Sequence, residues 1–304
     1  MRLLQPLTYI DTVAKAGSIR KAAESLAITS TALNRRILAL EDELGVDIFE
    51  RLPSGVRLSA AGELLLRHVR SQLSDMERVK SQIADLRGVK RGHISIACSQ
   101  AILTSFLPTQ IAQFRKLHPS VTFNVQLRDR AAAERALVDL SADIAMVFEP
   151  VALAEFQTLL SIKQPVCVIL PQQHPLATKE KLFLRDCLQY PIALPTAAYG
   201  VRALLETRAR QSSLRLVPAV ESDNFEYLRY QAEQEGIITF QIEIGLPANL
   251  ARTGLIARRL DKKDVPPGVL YLGQLKNRAL PVAAAQFANQ LAAALDAAEV
   301  GDYL

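Results

Sequence analysis

At 304 residues the chain exceeds the size of one small core, so two or more folded units are expected. Hydrophobic residues at 49% and charged residues at 22% exclude a disordered or fibrous chain, and no stretch approaches the roughly 20 apolar residues of a membrane span. A net charge of +5 and a pI near 9.1 fit nucleic-acid binding without specifying it. Three cysteines, Cys98, Cys167 and Cys187, are odd in number, widely spaced and set in apolar surroundings, so they read as buried thiols and not as a disulfide framework or zinc site.

The first residues, Met1 to Ala16, are interrupted by Gln5, Pro6, Asp11 and Lys15 and carry no secretion pattern, which sets the expectation of a cytoplasmic protein. From Ser18 to Leu44 runs SIRKAAESLAITSTALNRRILALEDEL, which reads as a short amphipathic helix, a tight turn and a longer amphipathic helix. Ile19, Ala22, Ala23 and Leu26 share one face of the first helix, and the small alanine pair admits a close crossing. The second helix is expected to bury Leu33, Ile37, Leu40 and Leu44. Thr29 is its natural N-cap, with Ser30 as the alternative. This is helix-turn-helix geometry. Ser30, Thr31, Asn34 and Arg35 occupy the leading end of the second helix on the faces left free, where side chains meet base edges in the major groove. Downstream, Phe49 to Ser59 reads as two short extended runs around a Pro-Ser-Gly turn, a wing that sets Arg51 and Arg57 towards phosphates or the minor groove; Arg20 is the remaining clamp.

The stretch AAESLAITSTALNRRILALEDELGVDIFERLPSGVRLSAAGE resembles the winged helix-turn-helix of LysR-type transcriptional regulators, and the likeness runs along the whole chain. It implies an α/β protein with an N-terminal winged helix-turn-helix domain, a long linker helix and a C-terminal two-lobed domain similar to periplasmic solute-binding proteins. It further implies that Ser30, Thr31, Asn34 and Arg35 face DNA and that Arg51 belongs to the wing contact. Ser30 stands where the family commonly has glutamine, Thr31 where it has proline or serine, Asn34 where it has serine and Arg36 where it has glutamine, and these departures bear on which bases are read.

Ser59 to Arg87 contains no proline and one glycine, Gly62, and reads as a long helix. Leu66, Val69, Leu73, Met76, Val79, Ile83 and Leu86 draw a narrow apolar seam along it, which calls for a partner helix. Pairing two copies would set two reading heads on one duplex and predicts an inverted-repeat site with half-sites about one helical turn apart. The resemblance implies this dimer, a tetramer built from two of them, and RNA polymerase as a further partner. The segment 88–92, with a glycine at each end of Val89-Lys90-Arg91, reads as a hinge. Residues 1–58 are thus assigned to the DNA-binding domain, 59–91 to the linker helix and hinge, and 92–304 to an effector-binding domain.

In that last segment strand-like runs alternate with helical ones. Strands are predicted at His93–Cys98, Val121–Leu127, Asp143–Phe148, Val166–Leu170, Ile192–Leu194, Leu214–Val220, Gly236–Phe240 and Val269–Gln274. Helices are predicted at Ile102–Leu117, Ala131–Leu140, Val201–Gln211, Asn224–Gln234 and Pro281–Ala298, a βαβ rhythm that gives a mainly parallel covered sheet. The division into lobe I (92–162 and 268–304) and lobe II (163–267) is what the resemblance implies, supported by FLPTQIAQFRKLHPSVTF, LSADIAMV and ILPQQHPLA; Gln241 and Glu243 stand where the family often has a Leu-Pro step. Ligands of open α/β sheets sit beyond the carboxyl ends of strands, near free helix N-termini. Ser99, Gln100, Arg128, Phe148, Thr196, Tyr199, Arg202 and Asn224 all fall there, and Arg128 or Arg202 suits a carboxylate.

No GxSxG elbow, GxxxxGK[ST] loop, HExxH, CxxC or GxGxxG motif is present, and His118 and His174 stand next to prolines in turn or cap positions. The competing readings are an enzyme carrying a DNA-binding appendage and a DNA-binding protein whose large domain only assembles. The favoured reading is a DNA-binding regulator without cofactor or metal, tuned by a small-molecule effector, with double-stranded DNA and its own copies as partners and no membrane.

Overall fold

The structure is a computed structural model that describes residues 4–86 and 92–301. The chain divides into two compact units, Met1–Leu86 and Arg87–Leu304. The predicted hinge therefore lies largely outside the described residues.

The first unit opens with a helix that sequence periodicity did not show, α1 (Gln5–Ala16), which supplies Tyr9, Ile10 and Val13 to the core. Gly17 stops it in the left-handed conformation, and Ser18 caps α2 (Ile19–Ser25). Ala27 turns the chain with a positive φ of 54°, and Thr29 caps α3 (Ser30–Leu44), its Oγ1 accepting the Ala32 N–H at 3.2 Å. Ala22, Ala23, Leu33 and Ile37 are buried as the periodicity requires, whereas Leu44 is exposed because α3 has by then run past the core. The wing pairs β1 (Phe49–Leu52) with β2 (Gly55–Leu58) in antiparallel register.

Helix α4 (Ala60–Leu86) does not begin a separate segment at residue 59. Its first turns are part of the same core, with Leu66 and Val69 buried and Leu73 packed beside them. Among the described seam residues, Val79 and Ile83 in the later part are the ones that lie exposed in the single chain. Gly62 allows the close approach, since a Cβ there would stand 2.1 Å from the Ile48 carbonyl oxygen.

The second unit contains two five-stranded sheets. The first is formed by β3 (Gly92–Cys98), β4 (Val121–Leu127), β5 (Ile144–Phe148), β6 (Phe156–Gln164) and β12 (Gly268–Leu275), in the order β4-β3-β5-β12-β6. The second is formed by β7 (Val166–Pro171), β8 (Ile192–Pro195), β9 (Val220–Ser222), β10 (Ile238–Ile242) and β11 (Leu255–Arg259), in the order β11-β7-β10-β8-β9. The chain leaves the first sheet after Gln164 and rejoins it at Gly268, so two lobes share two connections. Their covering helices are α5 (Gln100–Leu103), α6 (Phe106–Leu117), α7 (Arg130–Val138), α8 (Leu184–Cys187), α9 (Gly200–Gln211), α10 (Phe225–Glu235) and α11 (Val282–Gly301).

Two predicted elements change. The single helix expected over Ile102–Leu117 breaks at Thr104–Ser105, because Pro108 has no N–H for a continuous helix but fits the first turn of a new one. The strand expected over Leu214–Val220 instead lies at Val220–Ser222, sharing Val220 alone with the prediction, where it pairs with β8. All three cysteines are buried and outside any disulfide, and burial pushes the Cys98 and Cys187 thiols up to about 12.

Candidate DNA-reading face and interlobe cleft

The leading end of α3 presents Ser30, Thr31 and Arg35 to solvent, with Asn34 half-buried beside them. Asn34 Oδ1 accepts a hydrogen bond from Arg51 Nη2 at 3.0 Å, which ties the helix to the first wing strand. A second tie lies deeper. The buried Glu41 accepts the N–H groups of Ile48 and Phe49 at 2.8 and 3.0 Å, fixing where β1 begins. Across the wing Arg57 faces Glu50 in register and donates to Glu50 Oε2 from Nε at 3.2 Å and Nη2 at 2.5 Å; that hydrogen bond raises the Arg57 guanidinium above its ordinary value. Arg20 is exposed on α2. Gly55, with φ of 145°, seats the wing on the α1–α2 turn: Val56 N–H donates to the Gly17 carbonyl at 2.9 Å, and a Cβ at Gly55 would sit 2.3 Å from that oxygen.

In the larger unit a cleft of about 330 Å³, counting the open space at its mouth, lies at the carboxyl ends of β3, β4 and β5. Four of the predicted residues, Ser99, Arg128, Phe148 and Tyr199, line it. The Ser99 hydroxyl is buried without a hydrogen-bond partner. Arg128 donates to the Leu127 carbonyl and to Gln126 Oε1, both at 3.1 Å. The Tyr199 ring meets Phe225 edge-on at 5.2 Å, and burial first, then Asp223 and Asp129, raise its hydroxyl above the ordinary value.

Gln100 and Asn224 border the cleft through a shared contact. Gln100 Oε1 accepts the Phe225 N–H at 2.6 Å and its Nε2 donates to Asn224 Oδ1 at 3.4 Å, while Asn224 caps α10 by accepting from Glu226 and Tyr227. Arg202 requires correction. It is buried and consumed by Glu206 at 2.6 Å and Glu221 at 3.0 Å, so it offers no charge to a ligand. Thr196 also stays outside the lining; its backbone closes the turn between Ser222 and Tyr199. Sequence reasoning missed Arg130, whose Nη1 donates to the Glu149 carbonyl at 2.8 Å and whose Nε donates to the Ala198 carbonyl at 3.1 Å. Its only sequence signal is its place behind Asp129, the cap of α7, at the end of β4.

Two family descriptions account for these two sites. Residues 4–63 match "Bacterial regulatory helix-turn-helix protein, lysR family", and residues 87–296 match "LysR substrate binding domain". The chain is a LysR-type transcriptional regulator. The activator CmpR of Synechocystis sp. is 25% identical to this regulator over 219 residues, 71% of each chain. Among solved structures, full-length OxyR of Pseudomonas aeruginosa has a TM-score of 0.75 at 20% identity, covering 95% of this regulator and 94% of that chain. Full-length CbnR complexed with its target DNA has a TM-score of 0.63 at 18% identity, covering 95% and 98%. Relatives of the regulator are named for transcriptional regulation, not for catalysis. Among the described residues no helix is long and apolar enough to cross a membrane, and no cluster of three or more histidine, cysteine or acidic side chains could hold a metal ion.

Proposed function

We propose that the regulator reads double-stranded DNA with Ser30, Thr31, Asn34 and Arg35 of α3, while Arg20, Arg51 and Arg57 grip the phosphates. The observation that carries this reading is the Asn34–Arg51 hydrogen bond, which holds the base-facing helix and the wing as one surface. Two copies paired along α4 present two such surfaces to an inverted repeat in the cytoplasm, where RNA polymerase is the natural recipient of the signal. Fluorescence anisotropy on a promoter fragment and on random DNA checks the residue roles. Arg51→Ala is expected to weaken binding to both and to reduce the salt slope by about one, the share of one phosphate contact. Asn34→Ala is expected to lose mainly the preference between them; equal losses on both DNAs would remove Asn34 from base reading.

The cleft is the effector site in this reading, and no cofactor is required. Arg128, Arg130 and the unpartnered Ser99 hydroxyl line the cleft together with the apolar bodies of Phe148, Tyr199 and Phe225. That combination favours a small organic acid with an apolar or aromatic body. A panel of such acids is expected to raise the melting temperature, by mass action on the folded form, and Arg128→Ala to abolish the rise. A panel with no effect on the melting temperature would favour a large domain that serves assembly alone.

A further inference from the structure

We infer that Gln100 and Arg130 form a clasp that holds the two lobes shut with the chain's own side chains, so that an effector must displace it to enter. The inference adds regulation to the proposed effector site; it rests on that reading only for what displaces the clasp.

Both residues belong to the first lobe, and both reach backbone groups of the second. Gln100 Oε1 takes the Phe225 N–H at 2.6 Å, the place at the head of α10 where an anionic ligand group would bind. Asn224 takes the next two N–H groups, so the exposed donors of that helix are already satisfied. Arg130 bridges in the other direction, donating to Glu149 on its own lobe and Ala198 on the opposite one. Neither residue lies on the strands flanking the interlobe connections, so these bonds are made by closure and not by chain continuity.

A steric feature points the same way. Gly200 heads α9, and a Cβ built there would stand 2.3 Å from the Phe148 carbonyl oxygen across the cleft. Its φ does not fall in the left-handed range, so its own backbone does not require glycine. The need comes from the approach of the opposite lobe. Alanine at this position would act as a wedge beside the Arg130 bridge, without changing either clasp side chain.

The experiment uses the full chain with Val151→Cys and Val217→Cys, exposed positions on the first and second lobe, carrying spin labels; the three native thiols are buried. Pulsed dipolar spectroscopy is expected to give a narrow interlobe distance in the labelled parent. The distance lengthens and broadens when Gln100→Ala and Arg130→Ala are combined, and also with Gly200→Ala alone. Hydrogen exchange reads the bond itself: the Phe225 amide exchanges about tenfold faster in Gln100→Ala, the size of one lost hydrogen bond. Protection returns in Gln100→Glu, whose carboxylate still accepts that N–H. Unchanged distances in the double variant, or equal Phe225 exchange with and without Gln100, would overturn the clasp. If the double variant does not fold, Phe225 exchange in Gln100→Ala and its rescue in Gln100→Glu decide the matter. No ligand enters these measurements, so a failed acid panel would remove the effector reading and leave the clasp standing.

Discussion

Asn34 and Arg51 share one hydrogen bond, so in the proposed reading neither side chain would meet DNA independently. Truncating Asn34 also releases the Arg51 guanidinium, and the two losses cannot simply add. A double-mutant cycle on promoter DNA is expected to show a coupling of about 1 kcal/mol between them, against a few tenths for either one with the more distant Arg20. Most of the helix-turn-helix and wing geometry was legible in the sequence, because cap, periodicity and turn residues act locally. Charged partners are harder to see. Glu206 lies one helical turn from Arg202, a local pairing, but Glu221 arrives from a separate strand, and together they hold Arg202 away from any ligand. Arg130 went unseen for the complementary reason: its acceptors are backbone carbonyls, which leave no mark on composition.

At the level of elements, Gly62 shows how one position fixes a helix against a wing. Gly62→Ala would force a methyl group onto the Ile48 carbonyl, and backbone cannot rotate away as a side chain can. A loss of about 2 kcal/mol is expected, seen as a lowered melting temperature of the N-terminal unit. Gly45→Ala is the control with open space around the new methyl, although its left-handed φ makes that substitution costly for a different reason. Two strands escaped the sequence reading, β6 and β11, and each is an edge strand of its sheet. In β11 the polar Arg258 and Arg259 are adjacent and so point to opposite faces, and β6 exposes three consecutive residues, Gln157, Thr158 and Leu159, which blurs the period-two alternation that marks a strand. By contrast β5, buried at every position, reads as an unbroken apolar run.

For the molecule as a whole, charge is a poorer guide than it looked. Residues 1–86 carry twelve lysines and arginines against eleven aspartates and glutamates, so the reader is close to neutral and the surplus lies elsewhere in the chain. DNA affinity must then depend on local placement, with cations at the head of α3 and acids at its tail. In the proposed dimer, pairing two readers would supply the rest. With Val79→Asp and Ile83→Asp on the exposed stretch of α4, sedimentation is expected to shift towards monomer and binding to a two-half-site fragment to fall to the level of a single half-site. Glu41, buried beneath the wing, has a bearing on that encounter. It locks hairpin to helix before any duplex arrives, so docking resembles a stamp meeting paper, with the ordering entropy already spent and little of the heat-capacity change that accompanies folding on contact.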